Sequence, residues 1–119
     1  MTTAPSYQSF AVLSGDQVQL DFTVTDNADA AVDLTAGSGR FAMARSNLST
    51  ALDIDSDASP KTATITVVSA PAGTVNVVIT DENTDALQGD YYWEFKWTDN
   101  AGREAVIARG IITFEANLL

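Results

Sequence analysis

The 119-residue chain contains no cysteine and no histidine. The first absence removes disulfides, thiol nucleophiles and thiolate metal ligands. The second removes Ser-His-Asp and Cys-His pairs, histidine-ligated zinc or haem, and the one side chain whose ordinary pKa lies near neutrality. Most familiar catalytic arrangements are thereby excluded, and the chain reads as a non-enzyme. Positive charge is also scarce, with six Lys and Arg against sixteen Asp and Glu, a net charge of −10. Every phosphate contact would have to overcome that field, so neither nucleic acid nor an anionic membrane is an expected partner. No apolar run approaches the ~20 residues of a membrane span. Met1 to Ser6 has neither the basic nor the apolar region of a secretory leader, so a secretory precursor is not expected, and the lack of cysteine fits synthesis in a reducing cytoplasm.

What is present suffices for one domain with a core, since 45% of residues are hydrophobic and only 18% charged. The pattern is that of strands. Val18, Leu20, Phe22 and Val24 alternate with Gln17, Gln19, Asp21 and Thr23, giving a half-buried strand over residues 17–25. Residues 7–13 read as a strand before it, closed by Ser14-Gly15-Asp16. A short apolar-polar stretch covers 31–34, Phe41 and Met43 point inward from 40–45, and a short strand is expected around 51–55. Residues 62–68 and 74–80 form a hairpin across Ser69-Ala70-Pro71-Ala72-Gly73. Thr80 or Asp81 can cap a short helical turn near 81–87.

The strongest pattern comes last. Tyr91, Trp93, Phe95 and Trp97 form one aromatic face that must be buried, opposite Tyr92, Glu94, Lys96 and Thr98. After an Asp99-Asn100-Ala101-Gly102 turn the chain returns with Val106, Ala108, Gly110, Ile112 and Phe114 inward and Ile107, Arg109 and Ile111 outward. About seven to nine short strands with turns between them define an all-β, immunoglobulin-like antiparallel β-sandwich. An arm (1–6), a sandwich (7–115) and a tail (116–119) are the expected divisions.

Within Leu87-Gln88-Gly89-Asp90-Tyr91-Tyr92-Trp93, Tyr91 fits the tyrosine corner of Greek-key sandwiches, with Leu87 and Gly89 shaping the corner. Trp93 falls where antibody domains carry their second cysteine, so its indole can fill the space of a disulfide. Asp53, Asp55 and Asp57 open like a calcium loop, but Ala58 and Thr64 stand where that loop needs Gly and a bidentate Glu. A solvated acidic loop is the better reading, and no metal or cofactor is expected. Gly37-Ser38-Gly39 lacks the Lys-Ser or Lys-Thr of a phosphate loop and is a turn. Tyr92 and Tyr7 are the candidate exposed aromatics. Arg109, between Ile107 and Ile111, is a candidate interface anchor as well as a candidate surface ion-pair residue. Leu118 and Leu119 have no obvious core position and are candidate docking residues.

Ser14-Gly15-Asp16 with residues 18–26, Val32-Asp33-Leu34-Thr35 and Arg40-Phe41-Ala42-Met43 resembles the N-terminal immunoglobulin-like domain of phage baseplate upper proteins and related small tailed-phage virion proteins. Residues 87–94, Thr98-Asp99-Asn100-Ala101-Gly102 and Arg109-Gly110 are similar to the closing hairpin of that family. The resemblance runs from about residue 7 to 114. It implies a structural virion component, made in the host cytoplasm and located in the particle. Its partners would be other virion structural proteins, in a homo-oligomer or multi-copy assembly. Without the receptor-binding or coiled-coil region that a fibre protein would carry, the expected role is a head decoration protein or a neck, tail or baseplate accessory. A carbohydrate-binding or adhesion module on a host-recognition surface is the alternative.

Overall fold

A computed structural model describes residues 6–26, 28–46 and 51–116. Eight strands and one short helix follow in order: β1 (Ser6–Leu13), β2 (Val18–Thr23), β3 (Ser38–Ala44), β4 (Ile54–Asp55), β5 (Thr64–Ser69), β6 (Thr74–Ile79), α1 (Asp81–Thr84), β7 (Gly89–Thr98) and β8 (Glu104–Glu115). They form a five-stranded sheet, β1-β8-β7-β3-β4, and a three-stranded sheet, β2-β6-β5. The all-β sandwich expected from the periodicity is therefore present. The runs β8-β7-β3 and β2-β6-β5 reproduce the two-sheet order of the immunoglobulin fold.

One pairing within the sandwich is parallel. β1 lies beside β8 with Tyr7 level with Arg109 and Ser9 level with Ile111, while the other strand pairs are antiparallel. The Ser14-Gly15-Asp16 turn carries the chain from one sheet to the other, so β1 and β2, adjacent in sequence, are not partners. The short apolar-polar stretch at 31–34 forms no strand, Ala31 making a single bridge to Thr25. Thr80 sits at the N-cap of α1 without a side-chain cap bond, its hydroxyl accepting instead from the Asn83 amide 3.0 Å away.

The core lies between the inward faces of the two sheets. Val18, Leu20 and Phe22 from β2 and Val75, Val77 and Ile79 from β6 meet Phe41 and Met43 from β3 and the whole aromatic face of β7. Its centre is aromatic. Trp93, 2% exposed, has ring centroids 5.6 Å from Phe22, 5.7 Å from Phe10 and 5.9 Å from Phe41. Phe22 also stacks on Phe95 at 4.9 Å and 9°. Contacts from β2 to β7, where antibody domains place an inter-sheet disulfide, are thus made by rings, each worth about 0.5–1.5 kcal/mol beyond its buried area.

The β8 alternation differs from expectation at one point. The register slips between Phe95, opposite Ala108, and Lys96, opposite Val106, so Ile107 is an extra residue. A bulge bends the strand and resets which side each residue faces. Ile107 is consequently buried and Val106 only half-buried, the reverse of simple alternation. Beyond the bulge, Ala108, Ile112 and Phe114 are inward as expected.

Candidate functional site

The corner before β7 was expected to hinge on Tyr91. Gly89 there has φ +85°, a conformation that costs glycine little, and Leu87 is buried. Tyr91 is buried edge-on against Phe114 at 5.7 Å, with the Arg45 guanidinium 4.2 Å above its ring centre. The corner backbone is tied down by other hydroxyls. Ser14 donates to the Leu87 carbonyl, and Thr84 donates to the Asp16 carbonyl at 2.7 Å. These bonds join the corner to the β1–β2 turn, a role the sequence pattern assigned to the tyrosine.

The acidic loop closes on a cation of the chain's own. Arg40 makes a bidentate contact with Asp55, at 3.3 Å to one oxygen and 3.0 Å to the other, and lies 3.6 Å from Asp57. The guanidinium holds the Asp55 carboxyl below the ordinary carboxylate range. Among the described residues no group of three or more His, Cys, Asp or Glu converges as a metal site.

The outer face of the five-stranded sheet brings Tyr92 and Arg109 together. Reading across the strands from β1 to β3, one row is Tyr7, Arg109, Glu94, Ala42 and the next is Ser9, Ile111, Tyr92, Ala44. Together with Leu52 these residues line a hollow of about 520 Å³. Tyr7 is 69% exposed and Tyr92 40%, as expected of the two candidate surface aromatics. Arg109 donates to the Tyr7 hydroxyl at 2.7 Å and stacks 4.8 Å from the centre of its ring. Its cross-strand neighbour Glu94 instead lies 3.6 Å from Lys96. Among the described residues Arg109 makes no ion pair, which was one reading of it. Its charge is presented on the face.

Sequence reasoning missed Ala42, Ala44 and the proximity of Tyr7 to Arg109. The signal for the first two is small apolar residues at outward positions of β3, where a solvated strand would carry polar ones. Tyr7 and Arg109 are 102 residues apart and meet only because β1 runs parallel to β8. Leu118 and Leu119 lie outside the described residues. The chain matches no protein-family model and no curated protein sequence.

Proposed function

We propose that this chain is a structural, non-catalytic component of a tailed-phage particle, as a head decoration protein or a neck, tail or baseplate accessory, acting through protein–protein contacts. The observation that carries the contact role is the outer face of the five-stranded sheet. Tyr and Arg are the residues most enriched where protein partners bind tightly. Here Tyr7, Tyr92 and Arg109 surround an apolar floor of Ala42, Ala44 and Ile111. The particle assignment rests on the resemblance of residues 7–114 to virion immunoglobulin-like domains. Among the described residues lining the hollow Glu94 is the single carboxylate, whereas glycoside hydrolysis needs two across a cleft.

Exposed rings beside Arg109, Glu94 and Ser9 also suit a sugar, whose apolar face stacks on tyrosine while its hydroxyls bond polar side chains; a carbohydrate-binding module is the second reading. Sedimentation of a lysate of the source separates the two. Co-sedimentation of the native protein with DNA-filled particles is expected. A chain found only in the light fraction would overturn stable virion incorporation and favour the sugar.

A further inference from the structure

The two rows across the hollow are self-complementary, and this determines what can cover it. The strand register places Arg109 directly beside Glu94 and Ile111 directly beside Tyr92, across the β7–β8 seam. Outside them, Tyr7 and Ser9 stand on the β1 side and Ala42 and Ala44 on the β3 side. A two-fold axis in the plane of the face, running along the seam, exchanges the two sides. It sets Arg109 against Glu94 of a second copy, Ile111 against its Tyr92, and the projecting Tyr7 against its Ala42. Arg109 then meets a carboxylate, and each large side chain of the two rows meets a small one or an apolar partner. Lys96 falls opposite Val106, so no like charges are superimposed.

We propose that a second copy of this chain occupies the hollow, in an isologous dimer formed face to face through the five-stranded sheets. This inference rests on the proposed contact role of that face and names its partner. Two chains of net charge −10 repel, and this face offsets its carboxylates, Asp55, Asp90 and Glu94 among them, with three of the six basic residues, Arg40, Lys96 and Arg109. The outer face of the other sheet, with Gln19, Asp21, Asn76, Thr64 and Thr66, carries no basic residue among those described. Four strands, β1, β8, β7 and β3, overlap their counterparts across such an axis, while β4 lies beyond it. At ~4.8 Å spacing and about seven residues each they present on the order of 500 Å² per partner, below the ~800 Å² of a standard interface, so complementarity and not area carries the pairing. Sheets packed face to face keep their strands within about 30° of each other, which an axis along the seam provides.

Charge reversal tests the arrangement. Sedimentation equilibrium of the purified wild-type chain is expected to show a species of twice the 12.6 kDa chain mass. Arg109→Glu and Glu94→Arg, each alone, bring like charges together and are expected to weaken the dimer at least ~30-fold. Mixed in equal amounts they restore it, because each copy then supplies the charge the other lacks. Ala42→Trp fills the recess opposite Tyr7 and is expected to leave a folded monomer. Circular dichroism establishes folding of every variant. A wild-type chain that stays monomeric up to ~0.5 mM overturns the proposal. So does a dimer indifferent to both reversals, or folded reversal variants that remain monomeric when mixed. A monomer whose Tyr92 resonances shift on adding an oligosaccharide assigns the hollow to sugar and overturns it too. A chain that is monomeric alone yet travels with particles sinks the two-fold pairing and leaves the particle reading standing. A dimer that never travels with particles does the reverse.

Discussion

The two outer faces of the sandwich are built on the same alternation and differ in what the alternation exposes. On the three-stranded sheet the outward rows are Gln19, Val78, Thr64 and Asp21, Asn76, Thr66, mostly polar side chains around one valine, with Val67 and Val68 exposed where β5 bulges. On the five-stranded sheet the rows are Tyr7, Arg109, Glu94, Ala42 and Ser9, Ile111, Tyr92, Ala44. The second face adds two exposed tyrosines, an arginine and the larger hollow, and this contrast, more than any single residue, supports its reading as a contact face.

The comparison is broken most completely through the residue that holds the sheets together. Trp93 touches Phe10 of β1, Phe22 of β2 and Phe41 of β3, so Trp93→Ala removes ring contacts to three strands at once. A loss of about 3–5 kcal/mol is expected in urea unfolding, with both faces lost together. Gly110→Ala attacks one face only. A Cβ there would lie 1.7 Å from the Gln8 carbonyl oxygen, an approach that backbone cannot yield without moving β1 off β8. The expected cost is about 3 kcal/mol. Hydrogen exchange should rise along residues 6–13 while β2 and β6 stay protected. Equal exchange in both sheets would show that β1 is not a separable edge.

Next in size is the fastening of the corner. Ser14→Ala leaves the buried Leu87 carbonyl without its hydroxyl donor, for an expected loss of about 1–2 kcal/mol, and Thr84→Val tests the companion bond to Asp16. A smaller effect on stability separates the faces most sharply. Ala42→Arg and Gln19→Arg both add a cation to a solvent-facing strand position and should each change unfolding free energy by no more than about 0.5 kcal/mol. Only Ala42→Arg is expected to abolish co-sedimentation with particles. Equal loss by both would mean that contact is not confined to the five-stranded sheet.

Which parts of this were legible in the sequence follows from how far each signal reaches. The core residues of β2, β3 and β7 were legible because alternation is local: Phe41, Met43, Tyr91, Trp93, Phe95 and Trp97 are all buried as their spacing demanded. The exposure of Tyr7 and Tyr92 followed from the same rule. Alternation does not reveal register, and it fails at a bulge. Ile107 was placed outward because nothing in Ala105-Val106-Ile107-Ala108 announces the extra residue. The hollow itself needed the parallel pairing of β1 with β8, a contact across about a hundred residues that no neighbouring side chain encodes. Ser14 was seen as a turn residue and its bond to Leu87 was not, since a hydroxyl's partner 73 residues away leaves no local trace.

The smallest expected effect is that of pH, and it falls on three carboxyls in or beside turns. Asp55 is held below its ordinary pKa first by Arg40. Asp99 is lowered chiefly by the Arg103 backbone N–H in the β7–β8 turn, and Asp33 by the Thr35 hydroxyl. A carboxyl whose folded pKa lies below its unfolded value of about 3.9 stabilises the fold fully above that value, and the contribution disappears as pH falls through the lower folded pKa. With no histidine in the chain, stability is expected to be flat between about pH 5.5 and 8 and to decline below about pH 4. Asp33 is exposed and Asp99 half-buried, so the decline is shallow and its local signature is the better measurement. Asp99 accepts from the N–H groups of Ala101 and Arg103, both at 2.9 Å, and Asp55 accepts from that of Asp57, also at 2.9 Å. Those three amide resonances should move together only in the acid range. Movement of them between pH 5.5 and 8 would show that a group other than these carboxylates controls the turn and the β4 margin of the five-stranded sheet.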